Sequence, residues 1–458
     1  MNSLSSLLPE IEQFRATIAQ QPVAAPVSPD LIRAHIADHF PFSHPQPLES
    51  VIAEVVQMMH DWSLHTTHPR YFGLFNPNVT EAAIAADTLA ALYNPQLATW
   101  SHAPAANEIE RHTLQFFLRQ FGFDPAESAA HFTSGGAEAN HTALITALTH
   151  RFPAYGNEGV RSLPAQPVFY VSEQAHHSFQ KAAHSTGLGR AAVRTIPVNE
   201  ALQMDCATLE RQIQSDIAEG FIPFMTAGTV GTTPAGVIDP LEEISRICRQ
   251  YGLWFHADGA WGGAAIISPR AAQHLRGIDQ ADSIACDAHK WLSVSMSAGM
   301  FFCRHRHAVG DAFRITASYM PEHVQDTADN YAMSLQWSRR FIGLKVFMTL
   351  AERGAEGLAQ MVDEEIALGR YMRGELEKSG WTIVNETPLP VICFTHASLQ
   401  NGAVAVNDVL QRIYAEGSAW ISSVTVPHYG NVLRTCIINY ATTQADVDGL
   451  VASLKRFI

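Results

Sequence analysis

The chain has 458 residues, of which 47% are hydrophobic, so it can bury a large core and we expect two or three domains. Its 30 basic and 44 acidic residues give a net charge of −14, and no basic block or basic-aromatic stripe occurs, which argues against nucleic-acid binding. The six cysteines show no C-x-x-C pair and no metal-ligand spacing, which predicts reduced thiols, a cytoplasmic location and no metal site. No apolar run approaches roughly 18 residues, so we expect no membrane contact.

Residues 1–66 are predicted to form an N-terminal helical arm. Amphipathic segments at 7–19 and 48–64 are separated by a proline-containing linker at 22–29. Such an arm is too short to bury its own apolar face. It must therefore pack on the main body or on another subunit, and we favour the second interpretation.

The next segment is a loop rich in proline, glycine and aromatic residues at 67–77 (THPRYFGLFNP). Such loops often line a pocket, although a packed core loop explains the composition nearly as well. Helices are predicted to follow at 81–93 and 106–121.

A Ser-Gly-Gly turn at 134–136 leads directly into an alanine-rich helix at 139–149. The first backbone N–H groups of a helix have no partner within it, so this helix start is suited to bind a phosphate. A plain turn that binds nothing is the alternative. The spacing matches neither the Walker A motif nor the dinucleotide motif, which disfavours a nucleotide ligand.

Strands and helices then alternate, which predicts a mostly parallel α/β sheet. The predicted strands lie at 167–172, 193–197, 222–226, 253–257 and 299–303, with helices at 207–219 and 241–251. Ligands of such sheets bind at the carboxyl ends of the strands. The residues found at such positions are His176, Thr232, Asp258 and Lys290.

The C-terminal part is predicted to form a small α+β domain. A polar segment at 316–330 is interpreted as a mobile loop, and helices are predicted at 338–352 and 354–379. Strands at 381–385, 391–395, 421–426 and 433–440 surround a helix at 405–416. The predicted domains are therefore 1–66, 67–350 and 351–458.

Lys290 follows a short apolar run in the segment SIACDAHKWL (283–292), and its local sequence allows two interpretations. It is either a lysine that extends to water or a buried amine, which tends to lose its proton and attack carbonyl carbon. Pyridoxal 5′-phosphate (PLP) requires such a lysine, a phosphate-binding helix start, a carboxylate for its ring nitrogen and a flat group against the ring. Gly135-Gly136, Asp258 and His176 match these needs in turn. Each has a simpler explanation as a turn, a cap or a core histidine, but their joint occurrence predicts a PLP site.

At these residues the chain resembles the group II PLP-dependent amino-acid decarboxylases, which include aromatic-amino-acid, glutamate, cysteine sulfinate and diaminobutyrate decarboxylases. The resemblance runs from about residue 68 to the C-terminus. The motifs that carry it are TSGGAEAN (133–140), EQAH (173–176), HADGAWGG (256–263), DAHKW (287–291) and LRTxxxNYATT (433–443). The resemblance implies the aspartate-aminotransferase fold (fold type I), with a large PLP domain, a small α+β domain and a helical arm.

The resemblance also implies a role for each matching residue. Lys290 would form the Schiff base with the cofactor, Asp258 would pair with the pyridinium nitrogen and His176 would stack on the ring. The other cofactor contacts implied are Gly135, Gly136, Ala137 and His289 at the phosphate, and Thr232 and Ala260 at the ring. The substrate contacts implied are Phe75, Asn76 and Arg434. For Arg434, a structural ion pair in the small domain is an equally good interpretation.

The implied reaction is decarboxylation of an L-amino acid to an amine and CO₂ through an external aldimine and a quinonoid, in a homodimer with the active site at the subunit interface. Tyr331 is the candidate for the loop tyrosine that assists protonation, with Tyr319 as the fallback. Gln96, Ala98 and Thr99 favour a polar or small substrate side chain. The alternatives are an aldehyde synthase, another PLP reaction on the same fold, or an inactive homologue that acts as a binding partner.

Overall fold

The structure, a computed structural model, describes residues 7–25, 27–315 and 323–458. Its contacts divide the chain into two compact units. Unit 1 contains Met1–Asn78, Leu368–Val384 and Ile392–Ile458, and unit 2 contains Val79–Ala367 and Asn385–Val391. The predicted domain boundaries near residues 66 and 350 do not coincide with these limits, and the three-part division stays a prediction.

A seven-stranded sheet of order β1-β7-β6-β5-β4-β2-β3 forms the centre of unit 2. Its strands are β1 (Ala129–Thr133), β2 (Pro167–Ser172), β3 (Val193–Ile196), β4 (Ile222–Thr229), β5 (Trp254–Asp258), β6 (Ser283–Asp287) and β7 (Gly299–Cys303). Strand β7 runs antiparallel to β6 and β1, and the other neighbours are parallel. Every residue of β2, β5, β6 and β7 is buried, as expected for strands covered on both faces.

Helices lie between these strands. In unit 2 they are α4 (Glu81–Tyr93), α5 (Pro104–Gln120), α6 (Gly136–Arg151), α7 (Tyr155–Glu158), α8 (Ser178–Ser185), α9 (Cys206–Ala218), α10 (Leu241–Tyr251), α11 (Pro269–Ala272), α12 (Ala288–Trp291) and α13 (Arg306–Phe313). Helix α10 shows why they form: Leu241, Ile244 and Cys248 bury one stripe, and Gly252 ends the helix at φ +65°. Helix α14 (Gly343–Lys378) begins in unit 2 and ends in unit 1, with a non-helical residue at Gly354.

Helix α6 packs its small buried residues, Ala139, Ala143 and Ala147, into the same core as Phe169 of β2 and Phe301 of β7. Burying one such phenylalanine contributes about 1.5–3 kcal/mol. This packing holds the first turn of α6 at the edge where β4, β5 and β6 end.

Unit 1 has a four-stranded sheet of order β10-β11-β9-β8. Its strands are β8 (Thr382–Ile383), β9 (Val391–Thr395), β10 (Ser422–Val426) and β11 (Gly430–Cys436). Its helices are α1 (Leu7–Thr17), α2 (Pro29–His39), α3 (Leu48–Trp62), α15 (Ala397–Gln400), α16 (Val406–Glu416) and α17 (Gln444–Arg456). Trp381, Phe394 and Ile413 belong to its core.

The predicted mostly parallel α/β sheet is confirmed. Five predicted elements have the observed bounds: the strands at 167–172, 299–303 and 391–395, and the helices at 81–93 and 241–251. Strand β1 was not predicted, and the helix predicted from 338 begins at Gly343. No disulfide joins any of the six cysteines, all of which are buried. In the described ranges, no helix combines the length and hydropathy needed to cross a bilayer.

Candidate active site

A cleft lies where β4, β5 and β6 end in unit 2. In the sheet, Thr229 at the end of β4 pairs with Asp258 at the end of β5, and Asp258 pairs with Ala285 of β6. The cleft is lined by Gly136, Ala137, Asn140, His176, Thr229, Gly231, Thr233, Asp258, Ala260, Trp261 and Lys290. Six of the predicted site residues thus meet in one place.

The Asp258 carboxylate is buried and held by two donors. The Asn140 Nδ2 donates to Asp258 Oδ2 at 2.8 Å, and the Ala260 backbone N–H donates to Oδ1 at 3.1 Å. Both donors belong to unit 2, so the carboxylate orientation is set before any ligand arrives.

Asn140 is itself oriented by a buried histidine. Burial lowers the pKa of His256 to about 4, so its ring is neutral near pH 7. The side chain of Asn140 turns Nδ2 towards Asp258, so its Oδ1 accepts from His256 Nε2 at 2.9 Å. His256 Nδ1 then accepts from the Ser283 hydroxyl at 2.9 Å, and Ser283 Oγ accepts from Trp254 Nε1 at 2.8 Å. This chain of hydrogen bonds fixes the direction of the donor that reaches Asp258.

Lys290 faces a second buried carboxylate, that of Asp287. The Lys290 Nζ lies 3.0 Å from Asp287 Oδ2, and the side chain of Lys290 is 23% exposed, so its amine is accessible from the cleft. Among the described residues, Asp287 Oδ1 has no hydrogen-bond partner. Asp287 therefore faces Lys290 with one oxygen and has a second oxygen that can accept another donor.

His289 lies next to this pair. The Ala298 backbone N–H donates to His289 Nδ1 at 3.0 Å, which places the ring proton on Nε2. That Nε2 lies 3.8 Å from Asp287 Oδ2, and burial lowers the pKa of His289. A neutral His289 can therefore donate one hydrogen bond beside the start of α6.

The start of α6 approaches the other cleft residues so closely that position 136 must be glycine. A Cβ at Gly136 would lie 2.8 Å from Ala260 Cβ and 3.0 Å from Asp287 Oδ2. The first-turn N–H groups of this 16-residue helix have no partner within it, and its positive end favours an anion by about 0.3–1 kcal/mol. A lysine amine, a fixed carboxylate, an anion-binding helix start and Asp287 Oδ1, which is free within the described ranges, fit pyridoxal phosphate.

His176 is another predicted site residue that lines the cleft. The Ser178 backbone N–H donates to His176 Nδ1 at 3.2 Å, so the ring has a fixed orientation and its proton is on Nε2. Burial is the main cause that lowers the pKa of His176, and Lys290 acts in the same direction. The ring is thus a neutral flat surface near pH 7.

Three predicted cofactor residues do not line the cleft. Thr232 is buried and its hydroxyl accepts from the Val237 backbone N–H at 3.2 Å, which assigns it to the turn after β4. Gly135 and His289 lie just beside the cleft, because a Cβ at Gly135 would be 3.4 Å from His289 Cε1. The cleft is also lined by residues that the sequence did not predict as site residues: Asn140, Thr229, Gly231, Thr233 and Trp261.

Tyr331 also lies outside the cleft lining. Its backbone N–H donates to Ala98 O at 3.1 Å, and its ring centroid is 5.0 Å from that of Trp337. It lines a different cavity of unit 2. Tyr319, the fallback, and residues 316–322 of the predicted mobile loop lie outside the described residues.

The predicted substrate residues belong to unit 1. Arg434 is buried, its Nη1 donates to Gly73 O at 2.7 Å, and its guanidinium carbon is 5.1 Å from the Phe75 ring centroid. Asn76 Oδ1 accepts from the Tyr71 hydroxyl at 3.4 Å. These contacts group Phe75, Asn76 and Arg434 in one region of unit 1.

A family model described as "Pyridoxal-dependent decarboxylase conserved domain" matches residues 29–397. The chain is 30% identical over 418 residues to human cysteine sulfinic acid decarboxylase, covering 86% of this chain and 83% of the human protein. It is 27% identical to the aromatic-L-amino-acid decarboxylase of Bacillus atrophaeus, covering 96% and 91%. The crystal structure of mouse CSAD superimposes with a TM-score of 0.91 at 27% identity, covering 99% of this chain and 98% of that chain. The chain belongs to the pyridoxal-dependent decarboxylase family, and it is an enzyme that uses pyridoxal phosphate to remove CO₂ from an amino acid.

Proposed function

We propose that Lys290, Asp258 and His176 are the main cofactor residues of this decarboxylase, with the start of α6 at Gly136 and Ala137 as the phosphate site. When bound, PLP supplies an electron sink for the charge left on the substrate α-carbon. The Asp258 carboxylate is positioned to hold a proton on the pyridine nitrogen, and His176 offers its ring face. The observation that carries this proposal is the meeting of all these groups in one cleft.

Asp287 is proposed to hold the Lys290 amine. Lys290 must present a neutral amine to a carbonyl carbon and must take up a proton when it is released. A carboxylate oxygen 3.0 Å from Nζ stabilises the protonated amine and keeps it at the cleft. We therefore propose that Asp287 positions the Lys290 amine both when it is about to bond to the cofactor and after it has been released.

The proposed substrate is an amino acid with a small or polar side chain. Support comes from Gln96, Ala98 and Thr99, where bulky apolar side chains are absent. In the structure Gln96 Oε1 accepts from the Ala98 backbone N–H at 2.6 Å. Arg434, with its planar set of N–H donors, is proposed to bind a substrate carboxylate.

The active form is proposed to be a cytoplasmic homodimer. Helices α2 and α3 have no buried residue, and their apolar side chains Leu31, Ile36, Val55 and Met59 are exposed. An apolar face of this kind is stabilised when a second copy covers it. Tyr331 is proposed to act in catalysis in this dimer.

A panel of amino acids tests the substrate and the reaction together. Purified enzyme with PLP is incubated with each amino acid, and CO₂, amine and aldehyde are measured. We expect CO₂ and amine in equal amounts from a small or polar amino acid, and none from Lys290→Ala, which also fails to retain PLP after borohydride treatment. Lys290→Ala with wild-type turnover would contradict the assigned role, and aldehyde in place of amine would favour the aldehyde-synthase alternative.

A further inference from the structure

Two histidines and a glutamate form a cluster in unit 1, apart from the cleft residues. His35 and His39 are one turn apart on α2, and Glu54 lies on α3. One ligand atom from each lies within 4.8 Å of the other two, and His35 Nε2 is 2.5 Å from Glu54 Oε1. Within the described ranges, no other group of three histidine, cysteine or acidic side chains is this compact.

The hydrogen bonding of His39 leaves a nitrogen lone pair available. Its Nδ1–H donates to the backbone carbonyl of His35 at 2.9 Å, so Nε2 carries the lone pair. Histidines that bind metals usually donate their other N–H to a carbonyl or carboxylate in this way, because that bond fixes the tautomer and the ring.

The surroundings allow an ion to enter and be retained. The side chains of His35 and Glu54 are 23% and 30% exposed, so both are partly shielded from water, whereas His39 is on the surface. The Trp62 ring covers one edge of His35, at a centroid distance of 4.8 Å. The His35 and His39 rings stack at 3.9 Å. Without an ion, His35 Nε2 donates its proton to Glu54 Oε1, so an ion that binds here must displace that proton.

We propose that His35, His39 and Glu54 form a binding site for one Zn²⁺ per chain, with solvent as the fourth ligand. Two imidazoles and one carboxylate are a typical zinc ligand set at about 2.0–2.2 Å, whereas Mg²⁺ and Ca²⁺ prefer oxygen alone. The ion joins α2 to α3 across the exposed connection at residues 40–47. Because neither helix has a buried residue within a single chain, such a link joins α2 to α3 independently of the packing proposed between two copies.

Zinc affinity measured against a chromophoric chelator tests the proposal on the full-length enzyme with its cofactor. We expect one Zn²⁺ per chain for the wild type and a loss of affinity of about 100-fold or more for His39→Ala and for Glu54→Gln. His39 is exposed, so its replacement leaves the fold intact. His44→Ala, in the 40–47 connection but outside the cluster, is the matched control and should retain wild-type affinity.

Limited proteolysis gives a second readout. Zn²⁺ should slow cleavage within residues 40–47 of the wild type and leave the cleavage rate of His39→Ala unchanged. The proposal is overturned if the wild type binds no zinc, if His39→Ala binds it as tightly as the wild type, or if binding is lost with His305→Ala instead. His305 belongs to a separate histidine group with His150 and His307.

Discussion

Replacing Asn140 by alanine removes the residue that connects Asp258 to His256. The Asn140 side chain is buried, donates to Asp258 Oδ2 at 2.8 Å and accepts from His256 Nε2 at 2.9 Å. Loss of a hydrogen bond to a charged group costs about 1.5–3 kcal/mol, and the orphaned His256 N–H costs about 1–3 kcal/mol more. We therefore expect the free energy of unfolding to fall by about 2.5–6 kcal/mol. Since domains have about 5–15 kcal/mol, the variant should still fold.

The same substitution leaves the Asp258 carboxylate with one donor, the Ala260 backbone N–H. If the lost 1.5–3 kcal/mol hydrogen bond serves to orient Asp258 for the cofactor, kcat/KM should fall roughly 10- to 100-fold. Urea unfolding of the cofactor-free protein gives the first quantity and the rate of CO₂ release gives the second. Asn157→Ala, an exposed asparagine on α7, is the control and should change neither.

The two measurements separate the possible roles of Asn140. A loss of stability with an unchanged kcat/KM would mean that Asn140 only supports the core. If neither the free energy of unfolding nor kcat/KM changed, the proposed hydrogen-bonded network that orients Asp258 would be refuted.

Two further predictions concern a tyrosine and a histidine. Tyr331→Phe should lower amine production and, with dissolved O₂ as the oxidant, release aldehyde, ammonia and hydrogen peroxide together with CO₂. Tyr93→Phe, at an exposed site, should behave as the wild type. Full amine production by Tyr331→Phe would refute its catalytic role. The pKa of His256 is lowered to about 4 by burial, so the unfolded chain takes up a proton first as the pH falls. The contribution of His256 to stability is complete above its ordinary pKa of about 6.5 and is lost towards pH 4, which costs about 2–3 kcal/mol at pH 4.5. Urea unfolding at pH 7 and 4.5 should show this loss in the wild type and a smaller one in His256→Gln; equal losses would contradict it.

An element could be predicted when its own residues form the pattern that identifies it. The strand at 167–172 is an apolar run, and the helix at 241–251 has one apolar stripe and a terminal glycine. Strand β1 was missed because its five residues include His131, and its partner β7 is more than 160 residues away in sequence, at Gly299–Cys303. Pairing over such a distance leaves no local pattern.

The turn after β4 shows a similar limit within the site. The segment 229–233 contains three threonines, and sequence position alone does not tell which one faces a ligand. Gly231 adopts φ +87°, which turns the chain so that Thr229 and Thr233 line the cleft while Thr232 bonds to Val237. Asn140 was missed for a related reason: it follows Gly136 by one helical turn, but its partners Asp258 and His256 come from β5.

The two buried carboxylates of the site differ in a way that supports separate tasks. Asp258 has a donor on each oxygen, one from Asn140 and one from Ala260, so its position is fixed. Asp287 holds Lys290 through one oxygen, and its other oxygen has no partner among the described residues. A fixed carboxylate suits a charge that persists through the reaction, such as a protonated ring nitrogen, because its orientation needs no reorganisation. A carboxylate with a spare oxygen can instead follow an amine that gains and loses its proton. The proposed assignment of Asp258 to the ring and Asp287 to Lys290 thus follows from how many donors each carboxylate already has.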